Sequence, residues 1–215
     1  MGKEEELAAC QGNATRSRII DATFHVLMEP GYAGASTREI ARRARVSKRE
    51  LYALFESKEG ILAAMIGGRA ARMRQPLALP DVADHSGLAE TLRRFGINLL
   101  CEGSKPEVTA VFRLAVAEAE RAPDLARRLD ADGRQPTRAA LVAFLARATE
   151  RGLMAGEASM MATRFLTLLW GDLQMVLLLR LAEPLALAEI ERRAESAVTA
   201  FLSLYPDPER VSPER

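Results

Sequence analysis

Residues 36–58 constrain the fold of this chain more than any other stretch. Two short apolar patterns, over 37–44 and 48–55, are separated by only three residues. Their spacing of i, i+3 and i+4 predicts two amphipathic helices that each bury one face. Ser47 is suited to cap the second helix, and Glu50 follows at the spacing of a capping box. The stretch therefore predicts two short helices joined by a tight turn.

A longer apolar pattern over residues 16–28 precedes the two short ones. Two short helices joined by a tight turn behind a longer supporting helix make a helix-turn-helix, here at about 36–55. Because the apolar side of 48–55 faces this small core, its other side points to solvent, with Lys48 at its start. Such a helix can enter the major groove of DNA with its first residues near the base edges.

Charge is unevenly distributed along the chain. Between Ser36 and Lys58 there are seven basic and three acidic residues, whereas the whole chain has a formal net charge of only +1. A positive island on a near-neutral protein is the expected footprint of a nucleic-acid contact. A solvated charged face is the alternative interpretation of the same pattern.

The remainder of the chain also favours helices, because Ala, Leu, Arg and Glu dominate while β-branched and aromatic residues are sparse. The Pro-containing stretch 75–87 predicts a connection between domains. We therefore expect an all-α fold of about nine helices, with a first domain at 15–75 and a second at 76–205. Flexible tails are expected at 1–14 and 206–215.

The most apolar stretch is 158–181, whose apolar residues cover more than one stripe of a helix. This pattern predicts a helix that is buried on more than one side. Asp172 and Gln174 lie inside the stretch. A buried polar group needs a hydrogen-bonding partner, so we expect both side chains to meet a neighbouring helix, a partner subunit or a ligand.

Several classes of function are disfavoured by what the sequence lacks. It has two cysteines, far apart, and two histidines, and it shows no nucleophile–base pair and no phosphate loop. We therefore expect no enzyme, no metal site and no bound cofactor. No apolar run reaches the roughly 18 residues of a membrane span, and the acidic N-terminus does not resemble a signal peptide. A soluble, cytoplasmic protein is expected.

The residues of 18–65, RIIDATFHVLMEPGYAGASTREIARRARVSKRELYALFESKEGILAAM, resemble the DNA-binding domain of the TetR family of bacterial transcriptional regulators. The C-terminal half more loosely resembles the AefR-like branch, through 112–126 and 165–173. The resemblance implies a homodimer, formed here through the segments 158–181 and 189–204. It also implies a three-helix DNA-binding domain, a fourth helix that transmits a signal, and a C-terminal helical domain with an effector pocket.

Residue roles follow from the same resemblance. The residues expected to contact double-stranded operator DNA are Ser36, Thr37, Arg38, Arg45, Ser47, Lys48, Arg49, Tyr52 and Lys58. The residues expected to line a pocket for a small apolar or amphipathic effector are Met65, Phe95, Leu99, Phe112, Val116, Leu145, Phe165, Leu169 and Trp170. Each of the latter also fits plain core.

Two positions depart from the pattern of the family. Arg45 stands where Gly is common, and a left-handed backbone there would cost a non-Gly residue about 1 kcal/mol. A phosphate contact by Arg45 would offset that cost. Glu50 stands where a small hydroxyl residue is common; it either caps its own helix or accepts a hydrogen bond from a cytosine amino group, and the spacing from Ser47 favours the cap.

The function expected is that of a sequence-specific transcriptional regulator, a repressor released from its operator by a small apolar effector. The alternative is a constitutive DNA-binding regulator or an activator whose second domain only dimerises. A pocket and a filled core have the same appearance in one dimension, so the sequence leaves this choice open.

Overall fold

The structure is a computed structural model that describes residues 2–29, 34–78, 82–121 and 123–206, and of residues 2–12 the backbone alone. The Gly31-Tyr32 turn and most of the predicted C-terminal tail therefore lie outside the described residues. Throughout the described part the regular structure is helical. The predicted all-α fold is confirmed.

The helices are numbered in chain order. They are α1 Gly2–Met28, α2 Thr37–Ala44, α3 Lys48–Phe55, α4 Lys58–Arg74, α5 His85–Gly103, α6 Pro106–Ala117, α7 Pro123–Arg128, α8 Gln135–Glu150, α9 Ala158–Trp170, α10 Leu173–Leu178 and α11 Leu187–Leu204. A short 3₁₀ segment (Gln75–Ala78) follows α4, and a π-helical turn (Leu129–Arg134) follows α7. Helix α1 begins at Gly2 rather than at Arg16, where the apolar pattern begins.

The chain forms two compact units that differ from the predicted domains. The first consists of residues 1–68 and 110–132, and the second of residues 69–109 and 133–215. Sequence order alone suggested a single boundary near residue 75. The periodicity of 110–132 predicted helices there but carried no information about the unit in which they pack.

The core of the first unit holds the helix-turn-helix in place. Ile40, Ala41 and Ala44 of α2 and Leu51 and Phe55 of α3 are buried together. The other members of this core come from α1, α4, α6 and α7 and from the residues beside α2 and α7: Ile19, Ala22, Val26, Leu27, Ile61, Leu62, Met65, Ile66, Val111, Ala115 and Leu125, with Ala35 before α2 and Leu129 after α7. Because α2 and α3 have eight residues each, one face apiece suffices to anchor them.

The second unit has a larger apolar core centred on aromatic side chains. The rings of Phe95 and Phe165 stack with centroids 6.2 Å apart, and Phe165 meets Phe201 edge-on at 5.3 Å. All three side chains are fully buried. Helices α5, α8, α9 and α11 supply most of the remaining core residues.

The single helix predicted over 158–181 is wrong. Helix α9 ends at Trp170 because Gly171 adopts φ 47°, a conformation that ends a right-handed helix. Arg193 of α11 donates to the carbonyl oxygens of Leu169 (2.8 Å) and Trp170 (2.6 Å), which would otherwise lack partners at the helix end.

Within the single chain this stretch is buried on one side only. The Asp172 side chain is 84% exposed and forms an ion pair with Arg193 of α11 at 3.7 Å, the neighbouring-helix partner that was one of the predicted alternatives. Gln174 is exposed. Large apolar side chains also face solvent: Met160, Leu168, Met175, Leu179 and Leu181.

Candidate nucleic-acid interface

The turn between α2 and α3 sets the direction of the second helix. Arg45 ends α2 with φ 56° and ψ 46°, the left-handed conformation considered from the sequence. The Val46 N–H donates to the carbonyl oxygen of Ala41 at 3.0 Å, which closes the helix end. A non-Gly residue in this conformation costs about 1 kcal/mol, so Arg45 carries the strain that a glycine would avoid.

The N-terminus of α3 is closed by a complete capping box. The Glu50 N–H donates to Oγ of Ser47 at 3.1 Å, and the Ser47 N–H donates to Oε2 of Glu50 at 2.7 Å. These bonds to Ser47 lower the pKa of the Glu50 carboxyl. The prediction that Glu50 caps its own helix is confirmed, and α3 therefore begins at a well-defined residue.

A hydroxyl pair connects the two short helices on the solvent side. The Tyr52 hydroxyl lies 3.1 Å from Oγ1 of Thr37, and either oxygen can donate. Tyr52 is 43% exposed. Ser36, the residue before Thr37, caps α2 by accepting from the Glu39 N–H at 3.2 Å. The start of α2 and the middle of α3 are thus joined through exposed hydroxyl groups.

The cations of 36–58 fall into two groups. Arg42 and Arg43 are held by carboxylates: Arg42 binds Glu39 with both Nε (2.8 Å) and Nη2 (2.6 Å), and Arg43 binds Glu39 and Glu29. These bonds lower the pKa of the Glu39 carboxyl to about 2. These two arginines are already paired within the protein.

The second group of cations is exposed and uncommitted. Arg38, Arg45, Lys48 and Arg49 are all exposed, and within the described part of the chain none of them forms an ion pair. They lie at the starts of α2 and α3 and in the turn between them. Side chains that carry charge without an internal partner are available to bind phosphates and base edges.

Lys58 differs from the other predicted contacts. It begins α4 as expected, but its side chain is half-buried, and burial lowers the pKa of its ammonium group. Glu59 and Glu118 act electrostatically in the opposite direction. The influence of Glu118 was not evident from the sequence, because Glu118 lies 60 residues along the chain.

The residues predicted to line an effector pocket are divided between the two units. Phe95, Leu99, Leu145, Phe165 and Leu169 belong to the core of the second unit, and Trp170 packs against that core. Met65 and Phe112 belong to the first unit instead.

The last member of that set, Val116, is 70% exposed in the single chain. A groove on the second unit lies between α5 and α11, and none of the predicted residues lines it. Its residues are Arg93, Glu191, Arg192, Glu195, Ser196, Thr199, Ala200 and Ser203.

Two short helices with exposed cations at their starts and in the turn between them, anchored in the core of the first unit, define a helix-turn-helix protein of the DNA-binding class. Residues 19–65 match the model of the bacterial regulatory proteins of the tetR family, and residues 90–207 match the C-terminal domain of the AefR-like transcriptional repressors. The chain belongs to the TetR family of transcriptional regulators and to its AefR-like branch. Members of this family are DNA-binding regulators rather than enzymes.

Known proteins resemble this chain over different lengths. The HTH-type transcriptional regulator YvkB of Bacillus subtilis (strain 168) is 36% identical over 52 residues, which are 24% of this chain and 28% of that protein. The flavonoid-responsive regulator FrrA is 30% identical, with 90% of this chain and 97% of that chain covered and a TM-score of 0.68. A TetR transcriptional regulator from Agrobacterium tumefaciens is 28% identical, with 90% and 96% covered and a TM-score of 0.71.

In the described part of the chain, no helix combines the length and apolarity that crossing a bilayer would require.

Proposed function

We propose that the protein is a ligand-responsive repressor that binds a two-fold symmetric operator through α3. The observation that carries this proposal is the group of exposed cations Arg38, Arg45, Lys48 and Arg49, which remain unpaired beside a network in which Arg42 and Arg43 are neutralised. Ser36, Thr37, Ser47 and Tyr52 add hydroxyl groups for phosphate oxygens. Lys58 would reach a phosphate only by leaving its half-buried position.

A homodimer is required to place two copies of α3 in successive major grooves, roughly 34–36 Å apart. We propose that α9, α10 and α11 form the dimer interface. Large apolar side chains are exposed on α9 and α10 and directly after α10: Met160, Leu168, Met175 and Leu179. They support this assignment, because an exposed group of that kind marks an association surface.

The effector proposed is a small apolar compound, and a phenolic ring system is the first class to test. FrrA, with which this chain shares 30% identity over nearly its whole length, is described as flavonoid-responsive. In this mechanism the effector binds better to a dimer whose recognition helices are wrongly spaced. A coupling of 1–3 kcal/mol would weaken operator binding roughly 5- to 150-fold.

A constitutive regulator is the second candidate, and a specific observation favours it. The aromatic side chains of the second unit pack on each other: the Phe165 ring lies between those of Phe95 and Phe201. A second unit whose core is filled in this way would dimerise without sensing a ligand. In both candidates the protein acts in the cytoplasm, where its DNA is.

Selection from a random duplex library with the full-length protein tests the DNA-binding function. The proposal predicts an enriched palindrome whose half-sites are centred 10 to 10.5 base pairs apart or a multiple of that. No enrichment, or an asymmetric single site, would contradict the dimeric repressor.

Titration of flavonoids and of aliphatic acids against the selected duplex then separates the two candidates. A ligand-responsive repressor loses affinity at least fivefold with one class of compound. A constitutive regulator keeps the same affinity with every compound.

A further inference from the structure

The C-terminal end of α3 is held from outside the helix-turn-helix. Arg16 of α1 donates from Nη1 to the carbonyl oxygen of Leu54 at 3.2 Å. The same guanidinium lies over the ring of Phe55, with Cζ 4.5 Å from the ring centroid. Leu54 and Phe55 are the last two residues of α3. One side chain of α1 therefore contacts the backbone of Leu54 and the side chain of Phe55 at the C-terminal end of this helix.

Helix α3 needs such a contact for an electrostatic reason. The last carbonyl groups of a helix lack partners within it, and they carry partial negative charge. Helix α3 has no basic residue in its last turn. Arg16 therefore supplies the missing cation and a hydrogen bond, as a basic residue of the helix itself would do.

The chain beyond Phe55 leaves little freedom for α3 to move. Glu56 adopts φ 61° and ψ −42°, and the Ser57 N–H donates to the carbonyl oxygen of Phe55 at 2.6 Å. This three-residue turn is a strained conformation for a residue other than glycine. Helix α4 begins directly afterwards, and Gly60 lies so close that a Cβ atom there would be 2.0 Å from the Phe55 oxygen.

We infer that Arg16 is a positioning residue for operator recognition: it fixes the tilt of α3 in the groove without touching DNA. Only Leu51 and Phe55 of α3 are fully buried, with Leu54 packed beside them, so the tilt of this helix of about 12 Å depends on the contacts at its two ends. The capping box fixes its N-terminus, and Arg16 fixes the opposite end. The inference rests on the proposed role of α3 in the major groove.

The test compares Arg16→Ala with the wild-type dimer on two duplexes, the one enriched from the random library and a scrambled version, at several salt concentrations. We expect Arg16→Ala to weaken binding to the enriched duplex about tenfold, because a tilted α3 loses base contacts in both half-sites. Binding to the scrambled duplex and the salt dependence should stay as in the wild type, because no phosphate contact is lost.

Two further variants make the result specific. Arg16→Gln keeps an N–H donor for the Leu54 oxygen without the charge, so it should lose less affinity than Arg16→Ala, about threefold rather than tenfold. Lys48→Ala removes a cation proposed to meet DNA and should lower the salt slope by about 0.9 per subunit. Affinities are compared for the folded fraction, determined by titration with excess duplex, so that a loss of stability does not imitate a loss of affinity.

Three results would overturn the inference. A shallower salt slope in both Arg16 variants, with equal losses on both duplexes, would make Arg16 a phosphate ligand. Unchanged affinity for the enriched duplex would make the contact irrelevant to recognition. Equal losses on both duplexes at an unchanged slope would show a structural role alone. If the wild type enriches no duplex at all, it is the proposed function that fails, before Arg16 is examined.

Discussion

The stretches 36–58 and 158–181 carry information of different kinds. In 36–58 several polar residues have a local structural role, such as the Ser47–Glu50 cap or the Arg42–Glu39 ion pair. In 158–181 the informative residues are apolar, and an apolar side chain serves equally well in a core, a pocket or an interface. The comparison shows that caps and ion pairs between residues close in sequence can be predicted from the sequence. Whether an apolar side chain belongs to a core, a pocket or an interface can be decided only from the tertiary structure.

The largest expected effect on stability is in the apolar stretch 158–181. Phe165→Ala removes a fully buried ring from the second unit and should lower the free energy of unfolding by about 3–5 kcal/mol, measured by urea denaturation. Val116→Ala, at a 70% exposed position, is the control and should change it by less than about 0.5 kcal/mol. A small loss for Phe165→Ala would indicate an empty cavity beside the ring, and thus an effector pocket.

The next effect tests the stretch 36–58, at the junction of α3 and α4. Gly60→Ala would place Cβ 2.0 Å from the Phe55 carbonyl oxygen, and we expect a loss of about 3 kcal/mol. Gly68→Ala is the matched control in the same helix. Nothing lies within 4 Å of its Cβ position, so it should stabilise the protein by up to about 1 kcal/mol. Equal thermal shifts in the two variants would contradict the close approach of α4 to Phe55.

The features that could be predicted from the sequence are those that depend on residues close together in the chain. The short helices, their caps and the role of Glu50 were predictable because each depends on residues within four positions. The end of α9 at Gly171 was not, because it depends on Arg193, more than 20 residues away. The contact of Arg16 with α3 was missed for the same reason, because Arg16 and Leu54 are 38 residues apart.

A smaller effect is expected at Arg45. Replacement by Gly removes the cost of the left-handed backbone and should stabilise the protein by about 1 kcal/mol. The same variant should bind the enriched duplex with a salt slope lower by about 0.9 per subunit if Arg45 meets a phosphate. A stabilised variant with the wild-type slope would separate the strain from any role in DNA binding.

The smallest effect is a pH dependence of the ion-pair network. The pKa of Glu39 is lowered from 4.5 to about 2 in the folded protein, chiefly by its bonds from Arg42 and then Arg43. Its contribution to stability is therefore complete above about pH 4.5 and disappears as the pH falls toward 2. Glu39→Gln should flatten the decline of the melting temperature over this range, though only slightly, since the network is exposed and screened by salt. If the melting temperatures of the two proteins declined identically between pH 4.5 and 2, the stabilising role of the Glu39 carboxylate would be contradicted.

The central claim is that the cationic start of α3 reads duplex DNA. Fluorescence anisotropy with the enriched duplex measures this most directly, for the wild type, for the double variant Lys48→Ala/Arg49→Ala, and for Arg127→Ala as a control at an exposed arginine of α7 that is paired with Asp124. The account predicts that the double variant binds at least 100-fold more weakly, close to the affinity for scrambled DNA, while Arg127→Ala binds as the wild type does. Wild-type affinity in the double variant would contradict it.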